Sequence, residues 1–403
     1  MSPWTTLGLG FITLSLLVVL VLSGVLLMIY YVPTTEQALA STNDLEYVVT
    51  LGAVVRAMHR WAGHAMVLVV FLHFLRVLFT AGYSGRGFNW IIGMGLFLIT
   101  MGLAFTGYLL PWDQLSYWAV RVGTNLFDQL PVLGHGLKLL VLGGDEVGQQ
   151  ALTRFYALHV AILPLLLAIL LVLHLWRIRR DKGLVASQQG ESQKSDTLSA
   201  RPHLTSRQGI IFFIVVAVIL VVANLVPAPL GPAANLHNPS NPEKTPWYFL
   251  WLQEMVSYSA TVGGLIFPLF LMVFMAMVPA LDKGGSMAGR WFGGRTEKII
   301  VLLTLLAATG LLVGIEALYL KADIRNSAMS FLELDLFNPA TATLALSVLG
   351  FFLSGIITGS TRAAVLCSAT VLIVAVIVFT VLGMFRGPGW ELYWPWEEWR
   401  LVL

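Results

Sequence analysis

The stretch Arg56–Arg76, RAMHRWAGHAMVLVVFLHFLR, combines two properties that seldom occur in one segment. It is long and apolar enough to cross a bilayer as an α-helix, yet it carries His59 and His73, fourteen residues apart. On a helix, fourteen steps of about 100° return a side chain to within about 40° of the same face, about 21 Å along the axis. The stretch therefore predicts a membrane helix with two imidazoles on one side, at two depths.

A second stretch, Phe155–Arg177, repeats this arrangement with His159 and His174, fifteen residues apart. A single histidine in a membrane helix is more often a core residue bonded to its neighbours than a metal ligand. Four histidines paired by helix and by depth favour ligation, because each helix then offers one imidazole to each of two stacked centres, as in bis-histidine haem sites. His64 lies about 140° around the first helix from His59, so we interpret it as a packing residue.

The composition is that of an integral membrane protein. Of 403 residues, 57% are hydrophobic and 11% charged, and the mean hydropathy is +0.81, whereas a soluble domain has about 25% charged residues. The net charge of +3 is scattered and gives no basic footprint for nucleic acid. The single cysteine, Cys367, excludes an internal disulfide and any cysteine-ligated zinc or iron–sulfur site built by this chain alone.

Apolar stretches of about 20 residues predict nine membrane helices. With the N-terminus inside, the short inner connections hold thirteen Lys and Arg residues, against eight in the longer outer segments. This bias predicts an inner N-terminus and an outer C-terminal tail. The first helix lacks a basic leader and a small-residue cleavage site, so we expect it to be retained. The predicted spans are 7–31, 56–80, 90–110, 155–178, 208–226, 261–280, 298–320, 340–359 and 363–385.

The predicted fold is an all-α integral membrane protein in which a four-helix dihaem bundle precedes five C-terminal helices. A polar segment, 181–207, is rich in Ser and Gln, lacks apolar periodicity and is expected to be a cytoplasmic linker. The predicted domains are therefore 1–180 and 208–403. The tail after Phe385, RGPGWELYWPWEEWRLVL, is typical of an interfacial aromatic anchor, and docking of an extracytoplasmic partner is the alternative.

Two glycine pairs share the fourteen-residue period of His59 and His73. Gly10 and Gly24 lie in the first predicted helix, and Gly93 and Gly107 lie in the third. Glycine permits close approach of a planar macrocycle because it has no Cβ, although small residues also serve ordinary helix packing. The topology places Gly10 and Gly93 at the level of the inner histidines and the other two at the outer level. Flanking arginines could pair with haem propionates or extend to the membrane surface: Arg56, Arg60 and Arg76.

Three segments carry a resemblance to a known family: HRWAGHAMVLVVFLHFLRV (59–77), GYLLPWDQLSYWAV (107–120) and LTRFYALHVAILPLLLAILLVLHLWRIRR (152–180). They resemble the cytochrome b/b6 family of quinol:cytochrome c oxidoreductases, and most of all the b6 version. This resemblance covers roughly residues 7–182. The second half resembles subunit IV of b6f complexes, or the C-terminal half of a mitochondrial-type cytochrome b, more loosely, through PLGPAANLHNPSNPEKTPWYF (229–249). The chain would then be a fused form of two subunits that b6f complexes keep separate.

The resemblance implies two non-covalent b-type haems, a low-potential outer haem on His59 and His159 and a higher-potential inner haem on His73 and His174. It also implies an outer quinol-oxidation pocket and a quinone-reduction pocket near the inner haem. One electron would go to an outer iron–sulfur partner and the other would cross the membrane through both haems, coupled to proton translocation. The outer pocket would be built from Pro111 to Gln114, including Asp113, and from Pro246, Trp247, Tyr248 and Phe249.

The sequence departs from the family pattern at three places. The usual outer-loop Pro-Glu-Trp-Tyr is replaced by Thr245-Pro246-Trp247-Tyr248, so the carboxylate proposed to take a quinol proton is missing. Glu254 is our candidate replacement, since a base within reach of the quinol is still needed, and an interfacial glutamate without that role is the alternative. Gly8 stands where b6 proteins carry a cysteine that holds an extra haem, so no covalent haem is expected. The last two predicted helices exceed the three spans of subunit IV and have no assigned role.

The expected partners are a Rieske-type iron–sulfur protein, a c-type cytochrome, quinone and the bilayer of a bacterial or archaeal cytoplasmic membrane, in a complex that is generally dimeric in this family. Two alternatives stay open. One is a dihaem anchor that passes quinone electrons to another oxidoreductase without bifurcation, which the missing glutamate allows. The other is a transporter whose intramembrane histidines relay protons. Haem absorption separates the transporter from both haem hypotheses.

Overall fold

The computed structural model describes residues 7–181, 205–283, 288–321, 330–331, 334–335 and 338–393. Nine helices among these residues are long and apolar enough to cross a membrane, which confirms the predicted number and the all-α fold class. The predicted boundaries agree with the observed ones to within a few residues, except that the fourth span begins earlier, at Gln149. Most of the linker 181–207 and the end of the tryptophan-rich tail lie outside the described residues.

The helices are numbered here in chain order. A pair of two-residue antiparallel strands, Ser330–Phe331 and Leu334–Asp335, adds the only sheet among the described residues. The helices are α1 (Leu9–Met28), α2 (Ala38–Tyr47), α3 (Gly52–Phe79), α4 (Gly87–Leu109), α5 (Gln114–Asn125), α6 (Gly134–Leu142), α7 (Gln149–Ala157), α8 (Leu163–Arg180), α9 (Thr205–Leu225), α10 (Trp247–Tyr258), α11 (Phe267–Leu281), α12 (Arg295–Lys321), α13 (Pro339–Thr358) and α14 (Thr361–Met384).

The described residues form two compact units. The first draws on Met1–Tyr117, Val141–Ala234 and Ser286–Trp291. In it α1 packs on α3, and α4 packs on both α3 and α8, which together are the four predicted bundle helices. Helix α9 lies against α1 and α3, so the contacts place this fifth span with the bundle. The boundary predicted from the sequence lies at the polar segment 181–207. The division by helix packing differs from it, because it groups α9 with the helices that precede this segment.

The second unit draws on Trp118–Leu140, Asn235–Gly285 and Phe292–Leu403. Helix α14 is its centre, since α10, α12 and α13 all pack against it. Its most apolar stretch is 61% buried, more than that of any other spanning helix among the described residues. The two C-terminal helices, to which the sequence assigned no role, therefore supply the central helix of this unit and a helix packed directly on it.

Two spanning segments contain a π-turn immediately before a proline. Leu158–Ile162 precedes Pro164 in the fourth span, and Val262–Ile266 precedes Pro268 in the sixth. Proline has no N–H for the carbonyl four residues before it, so the helix widens there for one turn. His159 lies in the first of these turns, where the widening changes the direction of the imidazole relative to a regular helix.

Candidate functional site

The two outer histidines face each other. The ring centroids of His59 on α3 and His159 in the π-turn are 6.1 Å apart, with an angle of 75° between the ring planes. One metal bound between two imidazole nitrogens, with bonds of about 2 Å, holds the ring centroids about 6 Å apart. The separation of this pair therefore fits a shared metal ion.

Hydrogen bonds orient both outer imidazoles through Nδ1. The His159 Nδ1 lies 3.0 Å from the Leu103 carbonyl oxygen, and the His59 Nδ1 lies 3.0 Å from the Ser23 hydroxyl. The Ser23 hydroxyl donates to the Val19 carbonyl at 2.7 Å, so it accepts from His59. Both Nδ1 atoms therefore carry the proton, and both Nε2 atoms keep a lone pair for a metal.

The inner histidines form the second pair. His73 on α3 and His174 on α8 lie close enough to interact electrostatically. The Nδ1 atom of His73 is buried and has no hydrogen-bond partner among the described residues. A buried polar atom without a partner is uncommon in a folded protein and needs a reason, such as a bound group.

Each of the four predicted glycines lies against one histidine. A Cβ on Gly107 would lie 2.5 Å from His159 Cε1, and one on Gly24 would lie 3.1 Å from His59 Cε1. At the inner level, the corresponding distances are 3.5 Å from Gly10 to His73 and 3.7 Å from Gly93 to His174. The outer glycines, Gly24 and Gly107, thus make room for the imidazoles themselves, whereas a Cβ on either inner glycine would be in ordinary contact with its imidazole. Each glycine lies at the level that the fourteen-residue spacing indicates.

The donor set fits haem better than a metal held by protein groups alone. No cluster of three or more His, Cys, Asp or Glu side chains able to hold a metal occurs in the part of the chain that the structure describes. Two imidazoles leave most of an iron coordination shell to be supplied by another group. A porphyrin would supply the remaining nitrogen ligands, and His59 and His159 would hold the iron from the protein.

Comparison with known proteins identifies the family. Residues 64–233 match the protein-family profile described as Cytochrome b(N-terminal)/b6/petB. Cytochrome b6 of Heliobacterium modesticaldum is 46% identical over 172 residues, which are 42% of this chain and 81% of the relative. The chain belongs to the cytochrome b/b6 family. Cytochrome b6 of Heliobacterium mobile is 45% identical over the same length and the same shares of both chains.

A solved structure extends the likeness of this cytochrome b/b6 family member to the whole fold. A chain of a hyperthermophilic respiratory Complex III matches 95% of this chain with 92% of its own length, at a TM-score of 0.63 and 21% identity. At that identity the match concerns the fold. The family membership identifies the chain as a haem-binding protein of the cytochrome b/b6 type, and its apolar helices make it a multi-pass membrane protein.

The Pro-Trp-Asp-Gln turn is held by Asp113. The Asp113 carboxylate accepts from the Ser116 N–H at 2.9 Å, at the start of α5, and from the Gly231 N–H at 2.8 Å. The Gln114 N–H donates to the Pro232 carbonyl at 2.9 Å. Trp112 has φ +55°, which is unusual for a residue with a Cβ. Both Asp113 oxygens therefore position the turn, and a direct role of Asp113 toward quinol stays a prediction.

The Thr-Pro-Trp-Tyr segment starts helix α10. Pro246 precedes the helix, and Trp247, Tyr248 and Phe249 form its first turn, with Tyr248 buried. Their rings make edge contacts, with 5.4 Å between the centroids of Trp247 and Tyr248. The segment offers packed aromatic rings and no carboxylate.

Glu254 lies two turns further along α10 and is 0% exposed. Its carboxylate accepts from the Arg386 guanidinium, from the Tyr258 hydroxyl at 2.5 Å and from Trp390 Nε1 at 3.0 Å. Its predicted role as the acceptor of a quinol proton stays a prediction, and it requires the ion pair with Arg386 to open.

The arginines differ in their surroundings. The interpretation of Arg56 as a propionate partner disagrees with the structure, because its guanidinium donates to Glu46 at 2.7 Å and to the Ala228 carbonyl. Arg60 and Arg76 are partly buried on α3, and their pairing with propionates stays a prediction. The ring of His64 packs on Trp61 at 5.3 Å, in agreement with a packing role.

Sequence reasoning missed the groups that orient the histidines. Ser23 and Thr106 each precede an outer glycine, and the Thr106 hydroxyl lies 3.3 Å from His159 Nδ1. The repeated hydroxyl–glycine dipeptide, absent at Gly10 and Gly93, was a signal that could have predicted them.

Proposed function

We propose that the chain binds two b-type haems and is the cytochrome b subunit of a quinol:cytochrome c oxidoreductase that oxidises quinol at an outer site and reduces quinone at an inner site. The 6.1 Å separation of the His59 and His159 rings carries the proposal, because it is the distance that one shared metal requires. The second haem rests on His73 and His174, which lie close to each other and against Gly10 and Gly93. When bound, the haems supply one-electron transfer across the membrane.

The chain's own residues hold and orient these groups. His59 and His159 bind from two helices, and their Nδ1 hydrogen bonds prevent the rings from rotating. Gly24 of α1 and Gly107 of α4 leave space beside the two outer rings. Asp113 fixes the Pro-Trp-Asp-Gln turn through two backbone N–H groups. Separately, within the second unit, the aromatic rings at the start of α10 pack on one another.

The excess of Lys and Arg in the inner connections supports an inner N-terminus in a bacterial or archaeal cytoplasmic membrane. The outer histidine pair then lies on the side where a Rieske-type protein and a c-type cytochrome would accept electrons. The family membership supports a complex with such partners, and a homodimeric assembly is part of the proposal.

The haem proposal is tested by redox difference spectra and by the number of haems per chain. The full chain should bind two haems, and H159L and H73L should each bind one. The matched control is H64L, in the same helix as His73, which should keep both. A purified chain without a b-type α-band, or an H64L chain that loses as much haem as H73L, would contradict the proposal.

Electron bifurcation needs a separate experiment, because the buried ion pair of Glu254 also suits a dihaem anchor without an outer quinol reaction. In the purified complex, an outer-site inhibitor should block reduction of a Rieske-type partner while the haems stay bound. A complex that contains both haems but no such partner would favour the anchor.

A further inference from the structure

A buried ionic cluster in the second unit has an unequal number of acids and bases. Arg386, which follows α14, donates to Glu254 of α10 and, at 2.7 Å, to Glu316 of α12. The three residues are each at most 2% exposed. If both carboxylates were ionised, the cluster would carry one net negative charge away from water. Such a charge is strongly disfavoured unless a proton or another cation neutralises it.

The ionisable groups around the cluster do not change its net charge. Burial alone would lower the pKa of Arg386, but hydrogen bonds and the charge of Glu254 raise the pKa above its ordinary value, so the guanidinium stays positive. Burial and both carboxylates raise the pKa of Tyr258, so its hydroxyl stays neutral and donates to Glu254. Tyr319 packs its ring on Tyr258 at 5.4 Å and also carries a hydroxyl.

Lys244 is the remaining described cation with an electrostatic effect on the cluster, and it acts on Glu254. Burial lowers the pKa of Lys244 to about 8, although the Glu254 carboxylate raises it. Its ammonium donates to the Met384 carbonyl at 2.9 Å. The lysine therefore has its own hydrogen-bond acceptor outside the cluster, and no ion pair joins it to Glu316 among the described residues.

Hydrogen bonding distinguishes the two carboxyl groups. Glu254 accepts from Arg386, Tyr258 and Trp390, so its anionic form is well stabilised. Glu316 accepts from Arg386 through Oε1, and its buried Oε2 has no hydrogen-bond partner among the described residues. An ionised carboxylate would leave a charged oxygen without a donor there, whereas a protonated carboxyl places its hydroxyl at that oxygen.

We propose that Glu254, Arg386 and Glu316 form a proton-binding site that holds one exchangeable proton on Glu316 at neutral pH. Glu316 lies near the C-terminal end of α12, which is the outer end in the orientation proposed above. The site itself does not depend on haem. Its use as a store for protons that quinol oxidation releases on the outer side rests on the proposed function.

Infrared difference spectra of the purified full chain, recorded across a pH change and in D2O, test the site. A protonated carboxyl gives a carbonyl stretch above the amide bands, which shifts on deuteration. E316Q should lose this band while eluting as a folded species. E297Q, on the same helix at a partly exposed position, is the matched control and should keep it. Retention of the band in E316Q would overturn the proposal.

Two further variants assign the proton. In E254Q the cluster keeps one base, Arg386, and one acid, Glu316. The positive charge of Arg386 then neutralises an ionised Glu316, so Glu316 should lose its proton and the band should disappear. W390F removes a donor to Glu254 only, so the band frequency should not change. A frequency shift in W390F would place the proton on Glu254 and refute the assignment. Haem spectra of the same samples keep the two proposals apart, because a chain without haem can still show the band.

Discussion

The substitution Gly107→Ala tests most directly how α4 and His159 share the outer site. A Cβ at this position would lie 2.5 Å from His159 Cε1, 2.9 Å from Nδ1 and 3.0 Å from Nε2. Ordinary contact begins at 3.4 Å, so the ring must move by about 0.9 Å. Metal–ligand distances tolerate deviations of about 0.2 Å. Adding a methyl group to a packed site costs about 1–3 kcal/mol. If this cost falls on the haem-bound form, haem binding becomes roughly 5- to 150-fold weaker.

The assay is the number of haems per chain, measured with the redox difference spectrum. G107A should lose the outer haem and keep the inner one. The matched control is G93A, the same change on the same helix, because its Cβ would lie 3.7 Å from His174 Cε1 in ordinary contact. G24A, at 3.1 Å from His59, should show an intermediate loss. Equal haem content in G107A and G93A would refute the reasoning.

Three further predictions concern buried polar groups in the two units. Asp282 pairs with Arg362 at 2.9 Å, and both side chains are 2% exposed. D282N should therefore lower the free energy of unfolding, measured by thermal unfolding in detergent, by about 3–5 kcal/mol. D128N removes an acid from an exposed pair with Lys138 and should lower it by less than about 1 kcal/mol, so similar losses in the two variants would contradict this. D113A leaves two backbone N–H groups without their acceptor and should lower the free energy of unfolding by about 1–3 kcal/mol. D113N should be intermediate in stability between D113A and the unchanged protein. An unchanged melting temperature of D113A would count against the role of Asp113 in holding the turn. Burial lowers the pKa of Lys244 to about 8, against the effect of Glu254, so its amine is neutral above that pH. Acylation of this amine, measured by mass spectrometry, should therefore rise with a midpoint near pH 8. A midpoint near the ordinary lysine value of about 10.4 would show that the amine is solvated.

The sequence determined the fold class and the depth of each candidate ligand. Membrane helices are set by local composition, because a bilayer requires about 20 apolar residues per span wherever they lie in the chain. Within a straight helix, spacing also sets depth, since each residue advances a constant distance along the axis. For this reason the levels of Gly10, Gly24, Gly93 and Gly107 could be predicted from residue numbers, and the structure places each beside a histidine of that level.

The tertiary structure decided what each polar group contacts. Arg56 is bonded to Glu46 and to the loop at Ala228, which are distant in sequence and follow from packing between helices. Glu254 was predicted as a base within reach of the quinol, and the structure buries it against Arg386, 132 residues away. No local pattern encodes such pairs, because a buried charge is neutralised by whichever opposite charge the packing brings near it. Local composition determined the membrane spans, and residue spacing determined the depth of each candidate ligand. Only long-range packing determined which charged side chains pair.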